Sequence, residues 1–131
     1  LLADPRIAAV SEAIGKAGLR AEKKDYRWLI RLYWFSVEFG LLRENGRIKG
    51  IGSGLASSPT ELPHAVVSDA PERREFRILD VLRTPYRIDI HQPIYYVVEA
   101  IDDLVAMSER DLLTDVKEAQ SLGLFAPTYP T

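Results

Sequence analysis

Leu32-Tyr33-Trp34-Phe35-Ser36-Val37-Glu38-Phe39-Gly40-Leu41 sets one carboxylate, Glu38, among aromatic and aliphatic side chains just before a glycine suited to ending a helix. A carboxylate taken out of water loses several kcal/mol unless something compensates it. The partial negative charge at a helix C-terminus adds roughly 0.3–1 kcal/mol to that cost. At helical spacing Ile30, Trp34 and Glu38 share one stripe, which carries no Lys or Arg within a turn of the acid. Glu38 therefore asks for a cation from elsewhere in the molecule, or for a metal ion. The plainer alternatives are an ion pair with an arginine distant in sequence and partial exposure at the helix end.

Upstream, Tyr26, Leu29, Ile30, Tyr33, Trp34 and Val37 trace a wide apolar stripe that predicts a largely buried helix ending near Gly40. Before it, Asp4-Pro5 supplies an N-cap and a first-turn proline. Ile7, Val10, Ile14 and Ala17 then recur at helical spacing as far as Gly18. Downstream, Leu41–Glu44 and Arg47–Lys49 flank Asn45-Gly46, the dipeptide suited to a two-residue hairpin turn. Gly50, Gly52 and Gly54 thin the backbone and permit close approach by another element. Ser58-Pro59-Thr60-Glu61 reads as a capping box opening a helix. Arg73-Arg74 reads as a solvated run, Phe76–Leu79 as a short strand, and Ile94–Val98 as a β-branched and aromatic strand. Asp102 or Asp103 is expected to cap a helix toward Met107, and Ser108–Asp111 to open a last helix ending near Gly123. The sum is an α+β fold, mainly helical, with a short β-hairpin and one or two further short strands.

With 131 residues and 47% hydrophobic content the chain supports one moderate core. Seventeen Lys and Arg against nineteen Asp and Glu leave a formal charge of −2, which offers no footprint for nucleic acid or an anionic membrane. No apolar run approaches the ~18–20 residues of a membrane span, and no signal peptide is visible. Without cysteine there are no disulfides, thiolate metal sites or thiol nucleophiles, a composition compatible with the cytoplasm. The glycine-rich stretch from Gly50 to Gly54 lacks the Lys-Ser or Lys-Thr that would make it a phosphate loop. The two histidines, His64 and His91, lack the short paired spacing of a helical metal site and are read as structural.

Leu32–Leu41, the block Ile48-Lys49-Gly50-Ile51-Gly52-Ser53-Gly54-Leu55-Ala56-Ser57-Ser58 through Glu61-Leu62, and His91-Gln92-Pro93-Ile94-Tyr95-Tyr96-Val97 together resemble the aromatic amino acid hydroxylases. Enzymes of that family use non-haem ferrous iron, a tetrahydropterin and molecular oxygen to hydroxylate the ring of phenylalanine, tyrosine or tryptophan. Position by position, the resemblance implies that Glu38 is the iron-binding carboxylate. It implies that Trp34, Phe39, Gly54 and Ser57 border the substrate, that Tyr33 stands near iron and pterin, and that Ser57 orients an iron-ligating histidine. Two iron histidines in a His-x-x-x-x-His segment complete the family's site, and these 131 residues contain no such segment. Leu1-Leu2-Ala3-Asp4-Pro5 resembles the stretch just after it. The expectation is therefore that residues 1–131 are the C-terminal portion of one hydroxylase catalytic domain, inactive and iron-free alone and able to self-associate through surface left bare. Ile88 stands where tyrosine hydroxylases carry Asp, and Trp34 where tryptophan hydroxylases carry phenylalanine. The resemblance thus leans toward phenylalanine 4-hydroxylase, with tryptophan hydroxylation or a non-catalytic ligand-binding module on the same scaffold as alternatives.

Overall fold

The computed structural model describes residues 4–129. Helix α1, Pro5–Arg20, opens as its sequence predicts: the Asp4 carboxylate accepts the Arg6 backbone N–H at 2.8 Å, and Ile7, Val10, Ile14 and Ala17 form the buried face. It runs two residues beyond Gly18. A short 3₁₀ turn, Lys23–Asp25, leads into α2, Tyr26–Tyr33, and a π-helical turn, Trp34–Glu38, continues it.

The π turn corrects the stripe expected from straight helical spacing. Ser36 Oγ donates to the Leu32 carbonyl at 2.6 Å, and the Phe39 N–H reaches back five residues to the Trp34 carbonyl at 2.8 Å. Such an insertion rotates everything after it relative to the preceding turns, and π turns of this kind are frequent at functional sites. Glu38 consequently leaves the line of Ile30 and Trp34. The buried side is Leu29, Leu32, Phe35, Ser36 and Val37, whereas Tyr26 is 45% and Ile30 52% exposed. Those two line an apolar groove between α1 and α2, shared with Ile14, Gly15, Gly18 and Tyr33.

The hairpin forms as read. Strands β1 (Leu41–Glu44) and β2 (Arg47–Gly50) are antiparallel, and Asn45 and Gly46 adopt φ of 54° and 74°, the left-handed pair that a type I′ turn requires. After α3 (Ser53–Ala56) and α4 (Glu61–Val66), the chain forms β3 (Glu72–Glu75), α5 (Ile78–Leu82), β4 (Ile94–Val98), α6 (Ile101–Ser108) and α7 (Leu112–Leu122). One mixed sheet results, in the order β2-β1-β4-β3, with β4 parallel to both β1 and β3. Every residue of β4 is buried, as a parallel central strand between two layers must be. Its Ile94, Tyr96 and Val98 face the main core with α1, α2, α5, α6 and α7, while Tyr95 and Val97 join Leu41, Leu55 and Ala65 on the other face.

Several local readings change. The strand expected at Phe76–Leu79 lies earlier, at Glu72–Glu75, because these residues pair with β4 as a charged edge strand; Ile78 instead opens α5. Arg73 is no solvated residue. Its guanidinium donates to the carbonyls of Ala65 and Ser68, both at 2.6 Å, and so satisfies the C-terminal end of α4. Ala100, not an aspartate, caps α6, and Asp102 and Asp103 sit in its first turn. Ser108 ends α6, leaving Asp111 alone to cap α7, which stops at Gly123. Leu1-Leu2-Ala3 and the terminal Pro130-Thr131 lie outside the described residues.

A side chain at residue 52 would overlap the Glu38 carbonyl, a backbone atom that cannot yield. Gly52→Ala is therefore expected to destabilise the chain by more than about 3 kcal/mol, beyond the usual overpacking penalty. A Cβ at Gly15 on α1 meets nothing within 4 Å, so Gly15→Ala should be neutral or stabilise by up to about 1 kcal/mol. Urea titrations of both variants check the contrast, and equal midpoints would contradict it.

Candidate active site

The backbone from Gly52 to Gly54 presses against the end of the π turn and aims Glu38. The half-buried carboxylate receives one hydrogen bond, from Ser53 Oγ to Oε1 at 3.1 Å. A Cβ on Gly54 would stand 3.0 Å from Oε2 and 2.9 Å from the Phe39 ring, so glycine keeps that side of the acid open. Among the described residues no lysine, arginine or histidine forms an ion pair with Glu38. Among the described residues the arginine alternative therefore fails, whereas the partial exposure expected at the helix end is seen, and Oε2 accepts no hydrogen bond from a described residue.

Aromatic rings stand beside it. Trp34 lies between Phe39, at 4.3 Å and tilted by 33°, and Tyr86, stacked at 4.3 Å and 11°. Phe35 meets Tyr86 edge-on from the core. Trp34 Nε1 is buried with no hydrogen-bond partner among the described residues, as is Gln92 Oε1, and such orphaned groups are uncommon in native structures. Burial pushes the Tyr86 phenol above its ordinary range, partly offset by the Arg31 guanidinium, so the ring is neutral at physiological pH.

The remaining expected residues are placed as follows. Gly54 adjoins Glu38 and Phe39. Ser57, exposed at the end of α3, donates from its hydroxyl to the Gly54 carbonyl at 3.2 Å. Tyr33 is half-buried on the groove between α1 and α2. Ile88, 77% exposed, rims an open cleft with Arg27, Ile30, Arg31 and Tyr86. His64 and His91, distant in sequence, come together with ring centroids 4.9 Å apart. Their Nε2 atoms are engaged by the Gln92 carbonyl and by Thr60 respectively, which fits the structural reading.

Sequence reasoning missed Ser53 and Tyr86. Ser53 lies inside a glycine run that reads as a close approach and not as a phosphate loop, and nothing in that reading assigns its hydroxyl a partner, although a hydroxyl between glycines is well suited to meet an acid. Tyr86 sits on a loop without periodicity, punctuated by Pro85 and Pro93. Glu61 was assigned wholly to helix capping, yet only half of that box exists. Ser58 Oγ accepts the Glu61 N–H at 3.0 Å, while the Glu61 carboxylate turns inward to the Gln92 N–H and the Tyr95 hydroxyl.

The model of the family described as biopterin-dependent aromatic amino acid hydroxylase matches residues 1–118. The chain belongs to this family. It is 46% identical over 129 residues to a phenylalanine-4-hydroxylase of Vibrio cholerae, spanning 98% of this chain and 45% of that protein. A tyrosine 3-monooxygenase of Drosophila melanogaster is 48% identical over 103 residues, 79% of this chain and 18% of that protein. The apo structure of the cold-active phenylalanine hydroxylase from Colwellia psychrerythraea superposes with a TM-score of 0.91 at 44% identity, over 95% of this chain and 49% of that one. The chain thus spans about half the length of the Vibrio and Colwellia phenylalanine hydroxylases, and its α+β fold is that of part of the family's catalytic domain.

As a donor set for iron, the chain supplies one oriented carboxylate with a free oxygen. Among the described residues no group of three or more His, Cys, Asp or Glu side chains is placed to hold a metal. Glu38 fits as one ligand of a site completed by other residues. Because a methyl group on Gly54 would push on mobile ring and carboxylate atoms rather than on backbone, Gly54→Ala should fold with a loss of about 1–3 kcal/mol. Its tryptophan emission should also change as Phe39 shifts against Trp34. Unaltered emission in the folded variant would contradict the contact.

Proposed function

We propose that residues 1–131 form the C-terminal portion of the catalytic domain of an iron- and tetrahydropterin-dependent monooxygenase that converts phenylalanine to tyrosine. The observation that carries this reading is Glu38: a half-buried acid, aligned by Ser53, without an ion pair among the described residues, and bordered by an aromatic wall. Bound iron and tetrahydropterin would supply the activation of molecular oxygen. Glu38 gives the iron one anionic oxygen donor, and Ser53 holds the carboxylate's other oxygen in place. Trp34, Phe39 and Tyr86 present ring faces and edges that pack an aromatic side chain, hold it in one orientation and keep water from it. Tyr33 on the pterin side and Ser57 as orienting partner of an iron histidine complete the proposed assignment.

Phenylalanine is favoured as substrate by Ile88 and Trp34. By the family resemblance, Ile88 stands where tyrosine hydroxylases carry Asp, and Trp34 where tryptophan hydroxylases carry phenylalanine. Both family histidines belong to the preceding part of the domain in this reading. The isolated chain is accordingly proposed to be inactive and unable to retain iron, and its apolar groove between α1 and α2 supports self-association when that part is missing. A cytoplasmic location belongs to the same proposal, supported by the cysteine-free composition.

The polypeptide encoded by the complete reading frame should carry a His-x-x-x-x-His segment shortly before Leu1 and convert phenylalanine to tyrosine with iron and a tetrahydropterin. Glu38→Gln in that polypeptide should lower activity by more than the roughly 10–100-fold that losing an outer-shell partner of a metal ligand costs. Full activity of the variant would remove Glu38 from the site, and a reading frame without the histidine pair would favour a non-catalytic ligand-binding module.

A further inference from the structure

The loop that lays Tyr86 on Trp34 is fastened to α4 at its far end. Three side chains of α4 and its cap meet two consecutive loop residues. Thr60 Oγ1 lies 3.1 Å from His91 Nε2, the Glu61 carboxylate accepts the Gln92 N–H at 2.8 Å, and His64 Nε2 donates to the Gln92 carbonyl at 2.8 Å. The same Glu61 oxygen also takes the Tyr95 hydroxyl. At 7% exposure Glu61 is buried, its carboxyl group met by these two donors.

From Gln92 the linkage continues inward. Gln92 is fully buried, and its carboxamide Nε2 donates to the carbonyls of Arg87 at 2.6 Å and Ile90 at 3.2 Å, so the loop is wound around this one side chain. Arg87 follows Tyr86 directly. At the entry to the loop, Thr84 Oγ1 bonds the Asp80 carbonyl and the Tyr96 hydroxyl, both at 2.6 Å. Tyr86 thus hangs between two anchored points, and the anchor on its C-terminal side leads to a buried acid.

We propose that Glu61 is a positioning residue: through Gln92 it sets how Tyr86 lies on Trp34, and thereby the width of the aromatic slot offered to the ring of the substrate. The proposal rests on the reading of Trp34 and Phe39 as a substrate wall, and its test separates the two ideas. In the chain labelled with 5-fluorotryptophan, Trp28 and Trp34 give two fluorine NMR signals, assigned with Trp28→Phe. Glu61→Ala should move the Trp34 signal to its position in Tyr86→Ala while Trp28 stays in place. Glu61→Gln, which keeps an acceptor for both donors, should leave the Trp34 signal near its original position. Gln92→Ala should reproduce the Glu61→Ala shift, and it serves if Glu61→Ala does not fold.

In the polypeptide of the complete reading frame, Glu61→Ala should raise KM for phenylalanine at least about tenfold. Its kcat should stay within about threefold, the pattern of lost uniform binding, with Glu61→Gln restoring KM. A Trp34 signal unmoved in folded Glu61→Ala or Gln92→Ala overturns the positioning role. A moved signal with unchanged KM overturns the slot and leaves hydroxylation by this domain intact.

Discussion

The contact on which the site depends is between two backbones. Gly52 lies against the carbonyl of Glu38 so closely that no other residue fits, and Gly54 lies under the Phe39 ring and beside the Glu38 carboxylate. That approach is possible because the π turn ends α2 one residue out of step and swings Glu38 away from the helix line. Without the extra residue in the turn, Glu38 would lie in register with Trp34 and Ile30. Without the glycines, the segment carrying Ser53 would stand too far away for its hydroxyl to reach Oε1. The helix distortion and the thin backbone are two halves of one arrangement, and together they present a carboxylate that the protein itself does not neutralise.

Much of this was legible in the residues. Asp4-Pro5 with the Ile7, Val10, Ile14 and Ala17 spacing specified α1, and Asn45-Gly46 specified the hairpin, because in both cases the signal is local and chemically specific. The glycines at 50, 52 and 54 point to a close approach but cannot name the partner, which for Gly52 and Gly54 is Glu38 and Phe39, thirteen to sixteen residues away. The π turn was not legible. Ser36 bonding back four residues to Leu32 is an option for any mid-helix serine and does not by itself announce a π turn, and a stripe drawn at even spacing misplaces Tyr26, Ile30 and Glu38 alike.

The misread polar residues share one cause. Arg73 and Glu61 were assigned to the nearest sequence motif, a charged run and a capping box, whereas each bonds groups brought up by another element. Charged side chains carry enough bonding capacity to be recruited at long range, and composition does not reveal it. Tyr86 escaped notice for the complementary reason, as an aromatic on an irregular loop has no period to betray which way it points. The family likeness compensates for this at Trp34 and Phe39, which the residues alone assign to the core, whereas at Glu38 chemical expectation and resemblance point to the same residue.

The central claim is that Glu38 is left without a cation so that iron can take its place when the other half of the domain is present. An anomalous difference map at the iron edge, from crystals of the polypeptide encoded by the complete reading frame grown with ferrous iron, tests it directly. The account predicts a single strong peak against a Glu38 carboxylate oxygen, shared with two histidines from the preceding part. A peak elsewhere, or a Glu38 carboxylate clamped by an arginine of that preceding part, would contradict it.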